Sequence, residues 1–327
     1  MSFKVIQFLI FIIVSALISS CGKKVEEEVH DAVLSANILL STSQCQQAID
    51  LLEAIGNQPR DSAYLKTYAT AYACRAGYST TVFFGSDIAK TAAPSPIGGV
   101  TTYSTSLKSV TNPLINDTNF KDLQKAIDIL LYAGGISTTT EPNSIERAKY
   151  FNVTESGEIN TQLAFMMLVQ LGKMMKVYAN ASLAGVKGAG GAGNNCFTDY
   201  STTPALVQTY ITSAGATGVC NTVSSSHTQL ATAASNRKAK LCQGVVLMNG
   251  VLDLLPSILT SAAGGSLSDI STVTSVINTQ KNELVTRFPI IGTTLTVLSQ
   301  ANCESDTSVT VDTLAAYYAV IFEGLIQ

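Results

Sequence analysis

Between residues 154 and 183 the apolar side chains recur at the spacing of an α-helix, and this run constrains the fold more than any other feature of the chain. Leu163, Met167, Leu171, Met174 and Tyr178 follow steps of three and four, while Ala164, Phe165, Leu168 and Met175 add a second apolar face. A helix apolar around most of its girth must be surrounded by other elements, so it belongs at the centre of a core. Helical spacing continues in the other apolar segments. Ala32, Ala36, Leu39 and Leu40 mark a first helix, followed by a break and N-cap at Thr42 or Ser43. Ala48, Leu51, Leu52 and Ile55 mark a second, which Gly56-Asn57-Gln58-Pro59 ends. Asp61 or Ser62 caps a third, carrying Leu65, Tyr68, Ala69, Tyr72 and Ala73 and closing at Gly77. Asp117 caps a helix over 120–132 with Leu123, Ile127, Leu130 and Leu131 on one face, and Gly134-Gly135 ends it. Further helices are expected over 204–212, from Ser225 or Ser226 to 259 with a kink or end at Pro256, over 268–287 and over 290–301. An amphipathic C-terminal helix through Val311, Leu314, Tyr318, Ile321 and Leu325 is expected to pack over the end of the domain. The expected fold class is all-α, with about ten helices in hairpins or a bundle.

Composition narrows the function classes. The chain has 327 residues, 46% of them hydrophobic and 13% charged, with a mean hydropathy of +0.27. That length suffices for a core without help from disulfides, and the low charge excludes a solvated disordered chain. A net charge of −3 with no basic tract argues against nucleic acid as a partner. Two histidines leave little room for zinc or for histidine catalysis, and neither His30 nor His227 stands at ligand spacing to a cysteine. No GxSxG, HExxH or Walker signature occurs. Residues 188–193 spell GxGxxG, but a helix precedes them where the dinucleotide fingerprint needs a strand, so they read as a connector. No cofactor and no metal are expected. His227 beside Ser224, Ser225 and Ser226 is the one place where a hydrolytic site is conceivable, although neither an acid nor an oxyanion hole is marked. The carboxylate pairs Asp50 with Glu53 and Glu155 with Glu158 read as solvated helix faces.

The N-terminus carries an address. Lys4 gives a positive start, 5–17 is an apolar run broken only by Gln7 and Ser15, and Ile18-Ser19-Ser20 precede Cys21. This is the pattern of a secretory signal over 1–20, too short for a membrane span. Leu17-Ile18-Ser19-Ser20-Cys21 resembles the lipobox of bacterial lipoproteins, with Ile18 where that family usually has Leu. The resemblance implies cleavage before Cys21, acylation of that residue (palmitate among the chains), and a membrane anchor. Gly22 after the cysteine, rather than Asp, implies the outer membrane of a Gram-negative cell, with the body facing the periplasm. Residues 21–28 then form a polar tether.

With Cys21 taken by lipid, Cys45, Cys74, Cys196, Cys220, Cys242 and Cys303 remain, an even number in an exported chain, and disulfides are the default. Proximity suggests Cys45 with Cys74, clipping neighbouring helices; Cys196 with Cys220 and Cys242 with Cys303 are the favoured further pairs.

In the N-terminal part, Ala36, Leu39, Ala48, Leu52, Ile55 and Pro59 resemble the tetratricopeptide spacing of helix pairs. Ala69 and Tyr72 repeat Ala36 and Leu39 about one repeat length later, and Ala126, Leu130 and Ala133 echo Ala48, Leu52 and Ile55. The stretch 91–99, with Pro94, Pro96, Gly98 and Gly99, breaks the period. The expected organisation is a TPR-like part over 29–135 and a helical core over 136–327, continuous with it and carrying the glycine-rich and cysteine-containing loops. A non-enzymatic helical scaffold holding an envelope protein or peptide is the preferred function. A small-ligand carrier of the solute-uptake kind, with Tyr68, Tyr72, Met167 and Met174 lining the groove, is the alternative. A hydrolase centred on His227 is a weaker third. Met166, Met167, Met174 and Met175 also admit a plain reading as core filling.

Overall fold

The computed structural model describes residues 26–87, 117–178, 234–263 and 281–323, together with positions 196, 198, 200, 205, 230 and 279. Among these residues the regular structure is helical and no β-strand occurs. The helices are α1 (26–41), α2 (Cys45–Ala54), α3 (Ser62–Arg75), α4 (Thr118–Leu131), α5 (Val153–Tyr178), α6 (Arg237–Ala263), α7 (281–287), α8 (Gln300–Ser305) and α9 (Val311–Tyr317). Single turns at Thr80–Val82 and Ser144–Arg147 lie between them.

Local chemistry sets the ends of these helices. Asp61 accepts from Tyr64 N at 2.9 Å and opens α3, while Asp117 accepts from Phe120 N at 3.1 Å and opens α4. At the start of α5, Glu155 N donates to Asn152 Oδ1 at 2.9 Å and Asn152 N donates back to Glu155 Oε2 at 3.1 Å, a reciprocal capping box. Gly77, at φ +79°, closes α3, with Tyr78 N reaching Ala73 O at 2.9 Å. Thr42 and Ser43 do break the chain, but neither caps α2. Ser43 has φ +60°, and the bonds Ser43 N to Leu40 O (3.0 Å) and Gln44 N to Leu39 O (2.9 Å) make it the closing residue of α1.

The centre of the molecule is the antiparallel crossing of α5 and α6. Met174 packs at Gly244 and Met167 at Gly250, so a higher number on one helix meets a lower one on the other. Leu163, Ala164, Met167, Met174 and Met175 are buried, as the two-faced apolar pattern requires. On one side α2, α3 and α4 form a layer, α2 against α3 and α3 against α4, which rests on α5 through both α3 and α4. On the other side α8 and α9 pack on α6. One hydrophobic cluster runs from Val29 to Phe322, so the two predicted parts share a core.

Both described disulfides match the favoured pairs. Cys45–Cys74 joins α2 to α3, with Cα atoms 5.6 Å apart, and Cys242–Cys303 joins α6 to α8, with Cα atoms 5.8 Å apart. Cys196 is also oxidised. Cys220 lies outside the described residues, as do the leader 1–20, Cys21, the glycine-rich loop 188–193, the break at 91–99 and His227.

Several sequence expectations are corrected. The helix expected from Ser225 or Ser226 begins at Arg237, because Asn236 turns the chain with φ +53°. It does not end at Pro256 but runs through it to Ala263. The helix expected over 290–301 is instead two short 3₁₀ turns, Pro289–Ile291 and Thr294–Thr296, before α8. A buried asparagine on α6 accounts for this. Asn249 Nδ2 donates to Thr294 O at 2.7 Å and Val297 O at 2.8 Å, carbonyls that a continuous helix would use internally. Its Oδ1 accepts from Tyr317 at 2.8 Å, so both polar atoms of the side chain have partners. The C-terminal helix is not a half-exposed cover either. From Leu314 through Glu323 every residue is buried, and after Tyr317 the chain continues as a π-helical turn over Tyr318–Glu323.

Candidate functional site

A groove of about 1100 Å³ opens between α3 and the first half of α5. Alternate turns of two facing helices line it. Lys66 and Thr70 come from α3, and Val153, Glu158 and Gln162 come from α5. Both are helices whose opposite faces enter the core, so the groove walls are the polar faces that amphipathic packing leaves outside.

A polar ladder crosses the middle of the groove. Lys66 pairs with Glu158, and outside the groove lining Ser62 Oγ donates to Glu155 Oε1 at 3.2 Å. Gln162 Nε2 donates to Lys66 O at 3.1 Å and to Thr70 Oγ1 at 2.8 Å, locking α5 against α3. The Lys66–Glu158 pair is solvent-accessible and contributes little to stability, so a ligand displaces it at small cost. At one end the groove is aromatic. Phe84 meets Phe165 edge-on at 4.9 Å between centroids and Phe83 at 5.1 Å, yet remains 51% exposed. Val153 at the rim is 78% exposed. Apolar side chains so open to water, gathered around one concavity, mark a surface able to gain by covering.

No family model, curated protein or solved structure matches the chain. Function is therefore read from the residues themselves.

The four residues predicted to line one ligand groove are not brought together. Met167 and Met174 are fully buried between α5 and α6, where the absence of a Cβ at Gly250 and Gly244 makes room for them. They fill the core. Tyr68 and Tyr72 lie on the opposite side of α3 from the large groove, around Glu53. Tyr68 donates to Glu53 Oε1 at 2.8 Å and Tyr72 donates to the same oxygen at 2.9 Å. Arg75 lies over the Tyr72 ring at 4.8 Å and binds Asp122 with two bonds, Nε to Oδ2 at 2.8 Å and Nη2 to Oδ1 at 2.6 Å. This network ties α2, α3 and α4 together.

The carboxylate pairs separate in the same way. Asp50 accepts from Gln46 Nε2 at 2.7 Å, Glu53 holds the tyrosines, Glu155 caps α5 and Glu158 holds Lys66. Neither pair faces a common reacting position. Among the described residues no group of three or more His, Cys, Asp or Glu side chains is placed to hold a metal ion, and no helix is long and apolar enough to cross a membrane.

Sequence reasoning missed the groove and its aromatic end. Phe83 and Phe84 carried the only local signal, two adjacent aromatics after a short Ser-Thr-Thr turn, and their convergence with Phe165 depends on how α3 and α5 cross.

Proposed function

We propose that this chain is a lipoprotein anchored through Cys21 in the outer membrane and facing the periplasm, whose helical body binds a peptide segment of another envelope protein. The form of the α3–α5 groove carries this reading. It is an open trough rather than a closed cavity, with an aromatic anchor site at one end and hydrogen-bonding side chains along its middle. Peptide recognition uses that combination: apolar pockets for a few side chains and polar groups along the backbone. The oxidised cysteines Cys45, Cys74, Cys196, Cys242 and Cys303 fit an exported body. The role is binding rather than catalysis.

Photo-crosslinking in cells tests the reading. A benzophenone amino acid is placed at Phe84, at Thr161, or at Lys121, which is exposed on α4 outside the groove. Phe84 and Thr161 should give the same adduct, competed by a synthetic peptide from the captured protein, and Lys121 should give none. Adducts that are absent, or equal at all three positions, refute it. Palmitate labelling that persists in Cys21→Ala refutes the anchor separately.

A further inference from the structure

A second concavity, of about 630 Å³, lies between the α2–α3 hairpin and α4, away from the trough. Its chemistry differs from that of the trough. Tyr64 and Tyr68 of α3 and Tyr132 at the end of α4 contribute to its wall, with Ile129 and Leu65 beside them. The rings of Tyr64 and Tyr68 stand 5.5 Å apart between centroids. All three hydroxyls are committed to the protein: Tyr64 donates to Leu52 O at 3.2 Å, Tyr68 to Glu53 Oε1 at 2.8 Å and Tyr132 to Ser299 Oγ at 3.0 Å. Tyr64 is buried and backs the wall, so it is the partly exposed Tyr68 and Tyr132 that offer the cavity ring surface rather than free hydroxyls.

Two carboxylates, Glu53 and Asp128, enter the same space. Neither has a cation within salt-bridge distance among the described residues. Asp128 uses one oxygen, Oδ1, to accept from Gln124 Nε2 at 3.0 Å, and no described group donates to Oδ2. Lys125, exposed one turn earlier on α4, is the only basic residue in the lining and leaves the site with one net negative charge when both acids are ionised. Burial pushes the Asp128 carboxyl up to about 6, a rise that the Gln124 amide and the Lys125 charge oppose only in part. The hairpin and α4 are fixed relative to each other by Gly134 N donating to Pro59 O at 2.7 Å at the cavity's edge, so the site is formed before any ligand arrives.

We infer that this cavity binds a small organic ammonium ion, the cationic head resting against the tyrosine rings and facing the carboxylates of Asp128 and Glu53. Aromatic faces attract cations whose charge is spread over carbon substituents, and ammonium heads are held in this way. A hard metal ion is a poor fit, because it needs six or more oxygens where this site offers two carboxylates. The remaining wall, the partly exposed Ile129 and Pro59, suits the carbon body of an alkylated amine.

Choline and its uncharged isostere 3,3-dimethylbutanol separate charge from shape. Each is titrated into the full chain by calorimetry, with saturation-transfer NMR on the ligand methyl groups. The expected result is binding of choline, with the isostere at least about tenfold weaker. Asp128→Asn and Glu53→Gln should each weaken choline about tenfold while the melting curve stays cooperative. Equal binding of the two compounds, no binding of choline at millimolar concentration, or undiminished binding in Asp128→Asn overturns the inference. None of these outcomes bears on the peptide trough, whose test reads a different face.

Discussion

Gly244 and Gly250 of α6 both receive α5, yet substitution by alanine should act in opposite ways. Replacing a helical glycine by alanine gains about 1 kcal/mol of backbone propensity at either site. What opposes that gain is the neighbour. A Cβ at Gly250 would meet only Met167, 2.7 Å from Sδ and 2.8 Å from Cε, the far end of a flexible thioether. Moving it costs about 1 kcal/mol, so Gly250→Ala should lie within about 0.5 kcal/mol of the parent. A Cβ at Gly244 would collide with both Met174 and the Tyr318 hydroxyl. Tyr318 cannot yield easily, because its ring stacks on Phe322 at 4.5 Å and its hydroxyl donates to Leu241 O at 3.2 Å. Overpacking costs about 1–3 kcal/mol, and a buried hydroxyl torn from its acceptor adds about 1–3 more. Against the propensity gain, Gly244→Ala should lose about 2 kcal/mol or more. Urea denaturation followed by circular dichroism, with disulfides kept oxidised, reads the difference. If Gly244→Ala matches or exceeds the parent in stability, or if Gly250→Ala is the worse variant, this account of the α5–α6 crossing is incorrect.

Two further outcomes follow from burial. Asp128 has its carboxyl raised from 3.8 to about 6, so the fold favours the protonated form. Its charge therefore costs stability progressively as pH rises from about 4, the penalty being nearly complete above about pH 6 and absent below about pH 4. Asp128→Asn should thus be more stable than the parent by up to about 3 kcal/mol at pH 8 and equal to it near pH 3.5; a difference independent of pH contradicts the shift. Cys242 and Cys303 are fully buried, whereas Cys45 and Cys74 are partly exposed. Mild reductant followed by alkylation and mass mapping should label the Cys45–Cys74 pair first. Removing the bridges by mutation should cost about 3.5 kcal/mol for Cys45–Cys74 and about 4 kcal/mol for Cys242–Cys303, the longer loop. Equal or reversed labelling rates would contradict the placement of the second bridge in the core.

Helix class and most helix ends could be read in the sequence because they rest on local physics. The caps Asp61 and Asp117 and the stop at Gly77 act within four residues of themselves, so no distant partner can change them much. The bridges Cys45–Cys74 and Cys242–Cys303 were readable for a related reason: each links helices close in the chain or exposed to the same short list of choices. The site was not local. Phe84 meets Phe165, and Tyr64 shares a cavity with Asp128, only because α3 packs against α5 and α4 at particular angles.

The same division explains the errors. Residues 290–301 have a sequence compatible with a helix, but Asn249, more than forty residues away, takes two of their carbonyls. Met167 and Met174 sit on a helix face that sequence could mark as apolar, yet whether that face meets ligand or helix was fixed by two glycines on α6. Spacing marked this chain as helical and made Cys45–Cys74 and Cys242–Cys303 favoured pairs; the crossing of α5 with its neighbours decided which faces became core and which became groove, because a side chain's environment is set by what lies opposite it rather than by what lies beside it in the chain.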